Sequence, residues 1–152
     1  MSLTVHQLAL RLAKHIGVTA FDPGAAANMH PLQQAGAREG DLNDVVACIN
    51  GALQELWSLV PQVVRANCPA GCPVVTVADV GAVNDPGVSI PLQENWEESI
   101  LLPLALQRFT THPNFQPEAA KPEIARQAAL VRQILKALEP KRPVAALGTQ
   151  FR

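Results

Sequence analysis

Between Gly40 and Pro61 the chain reads DLNDVVACINGALQELWSLV, and no other stretch carries so clear a helical signature. Leu42, Val45, Val46, Ile49, Leu53, Leu56, Trp57 and Val60 recur at the spacing that places them on one side of an α-helix. Asp41 stands where an N-cap belongs, and Pro61 where a helix stops. The opposite side is built from Ala47, Cys48, Asn50, Gly51, Gln54 and Ser58 rather than from lysines and glutamates. A glycine inside a helix costs about 1 kcal/mol relative to alanine, but small residues let another backbone approach closely. Two readings stay open: a solvated face with one tolerated glycine, or a helix packed on both sides. In the second, Ala47, Cys48 and Gly51 mark a subunit interface.

Prolines and glycines limit everything else. The chain of 152 residues has 13 prolines and 9 glycines, enough to interrupt its elements and leave long connections. A first helix is predicted from about Val5 to Ile16, capped by Thr4 with Gln7 three residues on, and stopped by Gly17. Leu3 and Leu8 hold the positions of a hydrophobic staple. Residues 18–40 form a long Gly/Pro/Ala-rich loop. After Pro61 a helical end and a loop are expected, then two short strands, VVTVADV and GVSIPL, joined by a turn at Asn84–Gly87. A third helix starts near Gln93 or Asn95, with Glu97 and Glu98 in its first turn and Pro103 kinking or splitting it. A fourth starts near Pro122 and carries the stripe Ile124, Ala128, Val131, Leu135 and Leu138, with Gln127, Arg132 and Lys136 facing water. The expected whole is a mainly α, four-helix bundle-like domain over residues 1–139. It carries a small β-hairpin near 73–91 and an extended C-terminal tail over 140–152.

Composition narrows the class of function. Hydrophobic residues make up 48% of the chain, enough for a core, while charged residues make up only 16%. Low surface charge suits a protein partly covered by partners. A net charge of −1 argues against a dedicated binder of phosphate backbones. No stretch has the roughly 18 apolar residues of a membrane span, and Arg11, Lys14 and His15 follow the first apolar run instead of preceding it as in a signal peptide. A soluble protein made in a cytoplasm is expected.

No chemistry-bearing constellation stands out. Ser2, Ser58, Ser89 and Ser99 lie in no nucleophile elbow, and no glycine loop links a strand to a helix in a phosphate-cradling pattern. Asp41 and Asp44 read as first-turn residues, and the adjacent Glu97 and Glu98 point apart. Cys68 and Cys72, in NCPAGCP, resemble half a metal knuckle, but His6, His15, His30 and His112 are scattered singly and Cys48 sits in a helix. The plain reading is a Pro/Gly turn carrying two small thiols. No enzyme activity, metal or cofactor is expected.

LALRLAKHIGVTA is similar to the first helix and turn of a helix-turn-helix DNA reader. The recognition helix should follow at once, yet Pro23 and Gly24 stand there and no Lys or Arg occurs before Arg38. A small DNA-binding regulator with a degenerate motif is therefore the alternative. Another phage structural or tail-assembly protein is a further one.

The order of elements resembles more closely the head-to-tail adaptors (connector or neck proteins) of tailed bacteriophages, in particular those like tail accessory factors. A short helix ending in IGV, a Gly/Pro/Ala-rich loop and the helix DLNDVVACINGALQELWSLVP carry the likeness, with Asn50 near the middle and Trp57 near the end. It covers roughly residues 3 to 61. The hairpin and the CPAGC segment have no counterpart in it. The resemblance implies a virion protein of the neck, in a ring of about twelve copies with heterologous interfaces, below the portal. Such a ring extends the DNA channel and docks stopper or tail proteins. Double-stranded DNA passes through without specific binding, and no membrane is involved. It further implies that Ala47, Cys48, Gly51, Trp57 and Trp96 are interface candidates. The tail residues Arg142, Pro143, Val144, Leu147 and Phe151 are candidates for docking on the portal. Core packing is the competing reading of both tryptophans.

Overall fold

A computed structural model describes residues 4–17, 39–80, 89–92 and 95–138. Over these residues the protein is mainly helical. Helix α1, Val5–Ala13, begins with the expected capping box: Thr4 Oγ1 accepts from Gln7 N–H (3.2 Å) and Gln7 Oε1 accepts from Thr4 N–H (3.0 Å). It tightens into a 3₁₀ turn, Lys14–Ile16, and ends at Gly17, whose φ of 81° lies in the left-handed region that glycine adopts freely. Leu3 lies outside the described residues.

The long helix α2 spans Glu39–Leu59. Asp41 therefore lies inside its first turn, past the N-cap position. The helical end and loop expected after Pro61 are both present. Pro61 opens α3, Pro61–Asn67, where its missing N–H removes no helical bond, and Val60 forms the joint, donating to Leu56 O (2.9 Å) and accepting from Val64 N–H (3.0 Å).

VVTVADV is not a strand. Val77–Val80 form a helical turn, α4, because Thr76 and Asp79 make a second capping box: Thr76 N–H donates to Asp79 Oδ2 (2.8 Å) and Asp79 N–H to Thr76 Oγ1 (3.3 Å). Ser89, from the second expected strand, makes an isolated antiparallel bridge with Thr4 instead of joining a hairpin. The turn at Asn84–Gly87 lies outside the described residues, as do the loop over 18–38 and the tail over 139–152.

The third helical segment starts at Trp96, after Asn95 at φ 68°, a conformation asparagine tolerates better than most residues. Glu97–Leu101 wind as a π turn, and α5, Leu102–Phe109, continues from it. Pro103 neither splits nor ends the helix, since the wider turn, closed by Leu102 N–H to Glu97 O, leads into Pro103 at the opening of α5. A 3₁₀ turn, Glu118–Ala120, leads into α6, Lys121–Leu138.

One core joins these elements. Val45, Ile49, Leu53 and Leu56 from α2 meet Leu8 and Leu12 from α1, Leu104 and Phe109 from α5, and Leu135 from α6. Phe115, in a segment with no helical pattern, is fully buried; it stacks on His15 (4.7 Å between centroids) and meets Phe109 edge-on (6.1 Å). Among the described residues no helix is long and apolar enough to cross a membrane.

Candidate assembly surface

The small-residue side of α2 faces residues of the same chain. Arg108, from α5, lies against Gly51: a Cβ built there falls 2.9 Å from the guanidinium Nη1. The absent side chain thus makes room for an arginine rather than a backbone. Arg108 donates to Glu55 Oε1 (3.4 Å), and Arg132 of α6 clamps the same carboxylate with two hydrogen bonds, one through Nε and one through Nη2 (3.1 Å). Arg132 therefore does not simply face water. The hydrogen bond from Arg132, helped by the charges of both arginines and opposed by burial, holds the Glu55 carboxyl below its ordinary range.

One turn earlier, a cavity of about 280 Å³ is lined by Asp44, Ala47, Cys48 and, from the segment that follows α5, Thr111, His112 and Pro113. Ala47 is exposed at its edge and Cys48 half-buried. Burial, reinforced by the Asp44 charge, pushes the Cys48 thiol up to about 11. At neutral pH it is a protonated, apolar wall rather than a nucleophile. His112 Nε2 lies 3.6 Å from Asp44 Oδ2, while its Nδ1 accepts from Asn114 N–H (3.0 Å). The ring is held at both nitrogens and neither contact involves Cys48.

Trp57 is half-buried, and the Arg65 guanidinium sits over its ring at 5.2 Å, a cation–π contact between α2 and α3. Trp96 is half-buried at the start of the π turn. The structure therefore brings Ala47, Cys48 and Gly51 onto one surface shared with α5 and its following segment. Arg142, Pro143, Val144, Leu147 and Phe151 lie outside the described residues.

The contacts of two groups escaped sequence reasoning. Asn50 on α2 donates to Val75 O (2.8 Å) and accepts from Val75 N–H (2.7 Å), pinning the segment before α4. Glu97 is 1% exposed, and its Oε1 has no hydrogen-bond partner. The sequence placed Glu97 only in a first turn, pointing away from Glu98, and no local signal marks its burial. Cys68 donates to Pro91 O (2.9 Å), and all three cysteines are free thiols. Among the described residues no group of three or more His, Cys, Asp or Glu side chains is placed to hold a metal ion.

In comparisons with known proteins, no family model matches the chain, no curated protein matches it and no solved structure matches it.

Proposed function

We propose that the protein is a structural subunit of a tailed-bacteriophage neck: a head-to-tail adaptor that forms a ring between portal and tail and passes double-stranded DNA. In this reading α1, α2, α5 and α6 act as a four-helix bundle-like scaffold that holds interface surfaces at fixed positions. The observation that carries it is the pairing of short α1 with long α2, which bears Asn50 and Trp57 on a helix packed by core on one side and rimmed by small residues on the other. Low charge suits a subunit enclosed by neighbours.

Arg108 already fills the notch at Gly51, so the neighbour's contact centres on Ala47 and the cavity beside Cys48. A ring needs two unlike faces on each subunit, and this surface supplies one. The half-buried Trp57 and Trp96, away from this surface, are candidate anchors for the other face.

Electron microscopy of particles and of the purified protein tests the proposal. Rings, or label at a single particle vertex, are the expected outcome. Ala47→Arg, at an exposed helical position, should abolish rings while the circular dichroism of the subunit stays unchanged. A wild-type protein that stays a lone subunit, associates with no particle and instead retards duplex DNA would overturn the reading in favour of a regulator.

A further inference from the structure

Two features of opposite charge lie on opposite flanks of α2. Cys48 and Trp57 are nine residues apart, about two and a half turns, so their side chains leave the helix in opposite directions. Beside Cys48 is the cavity of about 280 Å³ edged by Asp44. The Asp44 side chain is 60% exposed, and its 3.6 Å separation from His112 Nε2 is too long for a full hydrogen bond. An ionised carboxylate has about four acceptor positions, so Asp44 has capacity for a cation brought from outside. On the other flank, the exposed Arg65 of α3 holds its guanidinium over the Trp57 ring at 5.2 Å. That contact commits none of the N–H donors of the guanidinium, which stay available to a carboxylate.

We propose that Arg65 of one copy, carried on its Trp57, enters the cavity of a second copy and pairs with Asp44 there. The contact rests on the ring reading given above and names the two unlike faces that a ring needs. The Trp57–Arg65 corner and the cavity cannot meet within one chain, because they stand on opposite flanks of α2. Each copy therefore offers one face and receives the other, the head-to-tail arrangement from which rings close. Charge selects this pairing over its alternatives, since like faces would set guanidinium against guanidinium or carboxylate against carboxylate. A cavity of about 150 Å³ suffices to hold a benzene ring, so this one has room for a planar guanidinium. Phe109, Pro113 and Cys48 supply apolar wall for the methylene stem of the arginine, while the carboxylate at the edge suits its fork of donors.

Charge reversal in the full chain tests the contact, read by sedimentation velocity and electron microscopy. Asp44→Arg alone and Arg65→Asp alone should each raise the concentration needed for assembly about tenfold or more, since each sets like charges face to face. Mixed one to one, the two variants should assemble again, because every contact between unlike copies then joins opposite charges. Circular dichroism should show both variants folded, and Asp44→Lys with Arg65→Glu is the second pair should either melt early. Normal assembly of both single variants overturns this contact and leaves the neck reading standing. A mixture that stays apart while the wild type assembles overturns it too, since the substitutions then act otherwise than through this pair. A wild type that remains a lone subunit overturns the contact and the ring together. Assembly restored by mixing, in a protein that never joins a particle, supports the contact and sinks the neck reading.

Discussion

Gly51 is a notch that Arg108 occupies, and its energetics can be separated into two terms of opposite sign. Alanine in a helix interior is favoured over glycine by about 1 kcal/mol. Against this, the new Cβ would press on the far end of a flexible, half-exposed arginine whose 3.4 Å pair with Glu55 is worth about 0.5 kcal/mol at most. Gly51→Ala is therefore expected to stabilise the protein by about 0.5 kcal/mol in urea denaturation. A loss of more than 1 kcal/mol would mean that Arg108 cannot move and is part of a rigid contact. The sequence showed that this side of α2 was small, because side-chain size is local information. It did not show what lies against it, since Arg108 is 57 positions away and looks like any surface arginine at the end of a helix. Glu97 was illegible for the same reason: two adjacent glutamates in a first turn look alike until packing buries one and leaves the other, Glu98, paired with Arg11 at 2.5 Å.

At the scale of elements, helices with a stripe on one side were legible and β-branched runs were not. Periodicity located α1, α2 and α6 because each buries one face on a common core. VVTVADV has the composition of a strand, yet Thr76–Val77–Ala78–Asp79 also spells a capping box, and that local pair of hydrogen bonds prevailed where no strand lies beside it among the described residues. The π turn follows from Pro103, but a proline signals only that a regular turn is interrupted, not how. Helix α6 shows how sharply one element divides core from surface. Leu135 is fully buried, so Leu135→Ala should cost about 3 kcal/mol. Its exposed neighbour Lys136 should tolerate alanine within about 0.5 kcal/mol. Chemical denaturation of the two variants measures the contrast, and similar losses in both would mean that α6 is not packed in this register.

At the scale of the whole molecule, Glu55 gathers α2, α5 and α6 at one carboxylate, joining residues up to 77 positions apart. Its folded-state value lies below the ordinary 4.5. A depressed carboxylate contributes stability that is fully present above that ordinary value and is lost as pH falls through the lower, folded one. The urea midpoint should therefore decline from pH 5 towards pH 2, and Glu55→Gln should lower the midpoint at pH 7 and flatten the decline. Glu123 is held lower still, at about 2, by Arg126, but it stands in open solvent, where screening leaves little of the pair as stability. Glu123→Gln should leave the profile nearly unchanged. An equal flattening by both substitutions would show that the acid sensitivity has another source.

The side-chain amide of Asn50 also bears on how copies of the protein meet when crowded or warmed. Val74, Val75, Thr76 and Val77 make a β-branched run with Val74 and Val77 exposed, the composition of a segment that recruits its like into cross-β stacks. Both main-chain groups of Val75 are already taken by Asn50, so the run lacks the rung at its centre on which an incoming strand would build. Asn50 is in this sense a gatekeeper supplied from a distant helix rather than from the flanking sequence. Asn50→Ala should leave α2 helical yet shorten the lag before thioflavin-positive aggregates form at temperatures below the melting transition, and an unchanged lag would mean that Val75 is guarded by something else.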